Sequence, residues 1–215
     1  MSRFPLILSS PSGAGKTTIA RELLRRRTDL GYSISCTTRK RRPAERDGTD
    51  YFFLTREAFL GVRARNEFAE SADVHGDLYG TLRREVDRTL AGGRHVVMDI
   101  DVQGARQLAE VYPESVLVFV LPPDSRVLLK RLKARGTEST GSLDRRLRSA
   151  VAELGAVGTY HYVVVNDDLE RAVGAVSKIV DVEEMRTSRI ARLGERIGEL
   201  VTGLEGELEN NQRSS

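Results

Sequence analysis

The stretch Ser10-Pro11-Ser12-Gly13-Ala14-Gly15-Lys16-Thr17 has the clearest capacity for chemistry in this 215-residue chain. Glycines at 13 and 15 let successive backbone N–H groups converge on one point, and a helix starting at the lysine adds the partial positive charge of its N-terminus. Such a loop holds phosphate: Ser12, Gly13, Ala14, Gly15 and Thr18 would cradle ATP, Lys16 would reach its outer phosphates as a catalytic cation, and Thr17 would hold Mg²⁺. The pattern G-x-x-x-x-G-K-[ST] asks for glycine where Ser10 stands, which alters the turn into the loop and leaves the other three specified positions, Gly15, Lys16 and Thr17, in step. A Gly/Ser turn that happens to precede a lysine is the bland alternative. An apolar run before the loop and an amphipathic one after it favour phosphate binding.

Two further groups of residues invite a chemical reading. Asp99 and Asp101 follow the apolar run that starts at His95, and strand alternation points both to one face. Beside a phosphate loop, Asp99 suits water-mediated binding of Mg²⁺, whereas capping the next helix would account for one of the two aspartates but not both. The segment from Ser35 to Tyr51, SCTTRKRRPAERDGTDY, is basic, with hydroxyl residues before the cluster and a tyrosine after it. Taken alone it reads as a solvated charge run or a nucleic-acid patch.

Five apolar runs can carry these groups as strands: Phe4–Ser9, Tyr32–Thr37, His95–Ile100, Val116–Leu121 and Tyr162–Val165. Several lack alternation, as strands buried on both faces of a parallel sheet do, so the expected class is α/β with three layers. Helical periodicity covers Lys16–Arg27, Thr81–Ala91, Val102–Val111, Ser125–Ala134, Leu143–Leu154 and Leu169–Met185. Two stretches exceed what a crossover needs, Thr38–Gly93 and Arg135–Arg146, and insertions of that kind usually cover a site. From Arg186 onward an apolar stripe from Ile190 to Leu208 predicts a helix, which Gly194, Gly198, Gly203 and Gly206 weaken by about 1 kcal/mol each. It is expected either to pack on its own core or to mediate self-association.

Composition narrows the setting. A net charge of +3 at a sequence pI near 9.2, carried mainly by arginine, suits phosphate partners without choosing between nucleotides and nucleic acid. The single cysteine, Cys36, excludes an intrachain disulfide and reads as a small core residue. His75, His95 and His161 have no metal-ligand spacing. The apolar run Leu6–Leu8 is too short for a signal or a membrane span, so the expectation is a cytoplasmic protein with no membrane partner.

The Ser35–Tyr51 segment resembles the S-x-T-T-R-x-x-R-x-x-E-x-x-G-x-x-Y stretch of the GMP-binding lobe of guanylate kinases, with Ser35, Arg39, Arg42, Glu45, Gly48 and Tyr51 in step. The likeness continues through Phe68–Ala72, Gly76–Gly80, Met98–Gly104, Leu121–Pro123, Arg131–Gly136, Arg145–Leu147 and Val165–Asp168. It spans about Arg3 to Glu184. Leu78 and Ser71 depart from residues frequent in that family, at positions on which its nucleotide chemistry does not depend.

This resemblance implies a P-loop kinase fold over residues 1–185, with a parallel core sheet, a GMP-binding lobe at about 36–90 and a lid at about 124–150; residues 186–215 lie outside it. It implies transfer of the ATP γ-phosphoryl group to GMP, with ATP, GMP and Mg²⁺ as ligands and no nucleic acid. Ser35, Glu70 and Asp101 would read guanine, whose edge offers an O6 acceptor and N1–H and N2–H₂ donors. Arg39, Arg42, Tyr51 and Tyr79 would bind the monophosphate, with Glu45 orienting an arginine. Arg131, Arg135 and Arg146 would close from the lid onto the transferring group, while Asn166 and Asp168 would lie near adenine. Two rivals are a scaffold module that keeps the fold and binds phosphopeptides, and a kinase for another small phosphate acceptor. The intact loop speaks against the first, the set Ser35, Glu70, Asp101 and Tyr79 against the second.

Overall fold

The computed structural model describes residues 2–74, 76–134 and 140–213. One compact unit runs from Arg3 to Lys178. In chain order it holds β1 (Pro5–Ser9), α1 (Lys16–Arg26), β2 (Leu30–Tyr32), β3 (Cys36–Thr37), β4 (Phe52–Phe53), α2 (Arg56–Ala64), β5 (Phe68–Val74), β6 (Asp77–Leu82) and α3 (Arg83–Ala91). There follow β7 (His95–Asp99), α4 (Val102–Val111), β8 (Val116–Leu121), α5 (Ser125–Ala134), α6 (Thr140–Gly155), β9 (Tyr162–Val165) and the start of α7 (Leu169–Glu184).

The core sheet has the order β2-β7-β1-β8-β9 with every pair parallel. β1 is buried along its whole length, which explains the unalternating PLILS and requires cover on both faces. Ile7, Val96, Met98 and Leu117 meet Ala105 and Leu108 of α4 in one apolar cluster. From β7 the chain crosses over β1 to reach β8, so the edge beside β1 is the point where such sheets open a crevice.

The long insertion is a lobe with its own sheet, ordered β4-β3-β6-β5, and its own core of Cys36, Phe59, Phe68, Leu78 and Leu82. The expected single strand Tyr32–Thr37 is two strands in two sheets: Leu30–Tyr32 pairs with β7, and Cys36–Thr37 pairs with β4 and β6. A change of partner leaves no mark on an apolar run. Thr81, expected to open a helix, lies within β6 instead, opposite Glu70. α2 was not expected, although Thr55 caps it by accepting from the Ala58 N–H at 3.1 Å, with Glu57 in the first turn. Burial pushes the Cys36 thiol up to about 12, which fits a core residue and not a nucleophile.

On either side of residues 135–139, Leu128 and Leu132 of α5 pack with Leu143, Leu147 and Ala150 of α6. Arg135 and His75 lie outside the described residues.

Ser2 and residues from Ile179 onward form a second compact unit, so the division falls inside α7, upstream of the expected boundary. Here a turn at Thr187–Arg189 precedes α8 (Leu193–Arg213). Arg189, 2 % exposed, lies 3.1 Å from the buried Glu183 carboxylate. The apolar stripe takes helical form, and Ile197, Leu200, Val201, Leu204 and Leu208 are exposed on it.

Candidate active site

Because all five core strands run parallel, the segments leaving their C-terminal ends open on one edge. After β1 comes the phosphate loop, after β2 the inserted lobe, after β7 Asp101, after β8 the helices α5 and α6, and after β9 Asn166. The parallel topology brings these segments to one edge of the core sheet.

The loop is held from behind. Gly15 caps α1 with φ 101°, a left-handed conformation suited to glycine, and a Cβ there would lie 2.3 Å from the Asn166 amide nitrogen. That amide donates to the Ala14 carbonyl at 2.7 Å, and the Arg131 guanidinium donates to the same oxygen at 3.2 Å. Two donors on one carbonyl hold that peptide in a fixed orientation, and the Ala14 N–H closes a turn on the Pro11 carbonyl at 3.1 Å. Asn166 is therefore seated on the loop backbone. Asp168 accepts from the Arg171 N–H at 2.9 Å, capping the first turn of α7. Ser12, Lys16 and Thr17 are half-buried along the loop, and Thr18 is exposed.

Asp99 ends β7 and faces Thr17, whose hydroxyl donates to one carboxylate oxygen at 2.6 Å. The Tyr32 hydroxyl donates to the other at 2.9 Å, and burial with the Asp99 charge holds the Tyr32 phenol well above its ordinary pKa. Thr17 and Asp99 present only oxygen atoms, the donor chemistry of a hard divalent cation. Asp101 lies beyond the strand: it is the N-cap of α4, accepting from the Gly104 N–H at 2.8 Å. Of the two aspartates, this is the one that caps.

In the lobe, Arg39 is the hub. Its guanidinium donates to Glu45 at 2.7 Å and to the Tyr79 hydroxyl at 3.2 Å, and lies 5.5 Å from the Tyr51 ring centre. Glu45 also accepts from the Arg42 backbone N–H at 2.9 Å, so it organises the turn between two arginines. The Arg42 side chain is 73 % exposed and 3.9 Å from Glu45. Burial, then the nearby Asp99 charge, pushes the Tyr51 phenol up to about 12. Ser35 is half-buried on the β2–β3 connection.

Glu70 is 4 % exposed, and burial raises its carboxyl pKa to about 7, assisted by the Asp101 charge and opposed by a 2.6 Å hydrogen bond from the Thr81 hydroxyl. Glu70 and Asp101 are thus neighbours, although they come from different sheets' surroundings and lie far apart in the chain. Arg146 is half-buried on α6. On the same helix Glu153 was missed by sequence reasoning; burial raises its carboxyl pKa against the opposing pull of Lys16 and the Ser12 N–H. Tyr32, Thr81 and Glu153 carry no motif, and only three-dimensional neighbours reveal them.

A phosphate loop between β1 and α1, a facing carboxylate on β7 and an inserted lobe with a mixed arginine, tyrosine and carboxylate lining define the class of P-loop phosphotransferases. The guanylate kinase family model matches residues 2–183. The chain is 49 % identical to a guanylate kinase of Anaeromyxobacter dehalogenans over 183 residues, covering 84 % of this chain and 81 % of that one. It is 45 % identical to a guanylate kinase of Nitrosomonas europaea over 183 residues, 85 % of this chain and 91 % of that one. The crystal structure of guanylate kinase from Anaplasma phagocytophilum matches with a TM-score of 0.75 at 33 % identity, covering 90 % of this chain and 93 % of that one. The chain belongs to the guanylate kinase family. No helix among the described residues is long and apolar enough to cross a membrane.

Proposed function

We propose that this chain transfers the γ-phosphoryl group of ATP to GMP, giving ADP and GDP. The observation that carries the reading is the buried Glu70 of the lobe beside Asp101 at the head of α4, two carboxylates that meet at Gly104, in a chain that also carries a phosphate loop. A general anion site would gain nothing from them. Guanine presents adjacent N1–H and N2–H₂ donors, which two carboxylates can accept.

In this reading Glu70 keeps one oxygen on Thr81 and offers the other to the base; Asp101 keeps one oxygen on Gly104 and does the same. Ser35 donates to O6. Arg39, Arg42, Tyr51 and Tyr79 bind the monophosphate, with Glu45 fixing the arginine fork, since a carboxylate placed directly on phosphate would be repelled. The loop backbone from Ser12 to Gly15, with Lys16, Thr17 and Thr18, holds ATP; Asn166 serves it by bracing the Ala14 carbonyl.

Thr17 and Asp99 would hold Mg²⁺, because the hydroxyl donates its hydrogen bond to the carboxylate and keeps its lone pairs for the cation. Bound there, the ion neutralises charge on the outer phosphates of ATP. Lys16 sits on the transferring group, and Arg131, Arg135 and Arg146 complete the positive shell as α5 and α6 close and exclude water. The cytoplasm remains the expected compartment. ADP release measured over a panel of nucleoside monophosphates tests the whole: GMP should be the preferred acceptor, and preference for any other member, or no transfer at all, rejects the assignment.

A further inference from the structure

β5 is the edge strand of the lobe sheet, paired with β6 on one side only. An unpaired edge must find partners for its backbone groups. At Ser71, the residue after Glu70, both are taken by one side chain: the Ser71 N–H donates to the Gln107 Oε1 at 3.1 Å, and the Gln107 Nε2 donates to the Ser71 carbonyl at 3.1 Å. The primary amide of Gln107 thus replaces a missing strand.

Gln107 belongs to α4, as does Gly104, and Asp101 caps that helix; a spacing of three residues puts them along one side of it. Gly104 shapes that face: a Cβ there would lie 2.6 Å from the Glu70 Oε2, so the carboxylate rests where a side chain would be. The register of β5 is irregular between Phe68 and Glu70, and a bulge of that kind disrupts the ladder locally and re-aims the next side chain. Glu70 therefore depends on a second contact to fix its distance from Asp101.

We propose that Gln107 is a positioning residue for guanine selection, which fixes β5 against α4 through its paired bonds to Ser71 and thereby holds the Glu70 carboxylate beside Asp101. The inference rests on the reading of Glu70 as the guanine acceptor. A cleft of about 370 Å³ borders the contact, lined among others by Arg63, Ser71, Arg83 and Gln107. Water from it would satisfy the Ser71 backbone if the amide were removed, so the fold survives while the strand loses its tie to α4.

Gln107→Met keeps the side-chain length and removes both bonds. KM for GMP should rise about tenfold and the GMP-to-AMP ratio of kcat/KM should narrow by a similar factor, with kcat at saturating GMP and the Kd for ATP within about twofold of the parent. Equal losses for every acceptor, with the ratio unchanged, mark a merely structural contact and overturn the proposal. Amide hydrogen exchange at Ser71 in the unmodified protein covers the case of a variant that does not fold: protection that deepens on adding GMP is expected, and exchange at the rate of an open edge overturns it. Glu70→Gln is measured alongside. If that variant keeps full GMP preference, the guanine reading falls and this inference with it; if it loses preference and Gln107→Met does not, Gln107 alone is wrongly assigned.

Discussion

The phosphate loop and the inserted lobe hold their ligand groups in opposite ways. The loop is a feature of the backbone: its geometry comes from consecutive residues, from Gly15 at φ 101°, and from two donors that meet on the Ala14 carbonyl. The lobe is a feature of side chains: Arg39, Glu45 and Tyr79 form a chain of hydrogen bonds, and Glu70 and Asp101 come together across segments of distant sequence. Backbone cradles recognise what every nucleotide shares, the polyphosphate. Side-chain networks recognise what differs between nucleotides, and they carry the cost of burying charge to do so. Damage to the first region should stop the reaction, and damage to the second should misdirect it.

The widest separation of the two is expected from Lys16→Ala. The residue is half-buried at the start of α1 and is not one of the buried core residues, so the fold should survive. Loss of its charge from the transferring phosphate should lower kcat on the order of 10²–10³-fold for every acceptor, leaving the GMP-to-AMP ratio unchanged. A folded variant with near parental turnover would remove the loop from the reaction, and a changed ratio would mean that the regions are not separable.

Glu70→Gln makes the converse cut. The amide can still accept from Thr81 with its oxygen, but it then turns its NH₂ toward the donors of guanine. We expect kcat/KM for GMP to fall about a hundredfold and the GMP-to-AMP ratio to narrow with it, because AMP offers an unprotonated N1 and no 2-amino group. The Kd for ATP should not move. Unaltered preference measured with both acceptors would show that selection lies elsewhere in the lobe.

The same contrast governs what the sequence made legible. The loop could be read because its determinants are contiguous: glycines, a lysine and a hydroxyl at fixed spacing, between an apolar run and an amphipathic one. The parallel core followed from unalternating strands such as PLILS. In the lobe the family likeness pointed to Glu70, yet nothing local indicated that Thr81 would be its partner, that Gly104 would leave room for its oxygen, or that Tyr32 would share Asp99 with Thr17. These are contacts between elements. Splitting Tyr32–Thr37 between two sheets had the same cause, since the strand partner is chosen by topology and an apolar run records only burial.

The smallest predicted effect tests whether burial of charge really distinguishes the lobe. The Glu70 carboxyl has its pKa raised to about 7 by burial, from the value of 4.5 that it would have when unfolded. Between those two values the folded protein holds a proton that the unfolded chain has released, so stability is greatest below pH 4.5, falls as the pH rises toward 7, and then levels off. Glu70→Gln removes this penalty, and its Tm relative to the parent should therefore be higher at pH 8 than at pH 5.5. Guanine works in the other direction, because only the ionised carboxyl accepts freely from both base donors. The KM for GMP should fall about fivefold between pH 6 and pH 8 in the parent and much less in Glu70→Gln, a comparison that cancels the ionisation of the GMP phosphate itself. The KM for ATP, whose site does not include Glu70, should change equally in both proteins. A pH profile for GMP that is the same with and without the carboxyl would mean that Glu70 does not titrate in this range, and that the lobe selects its base without the charge that sets it apart from the loop.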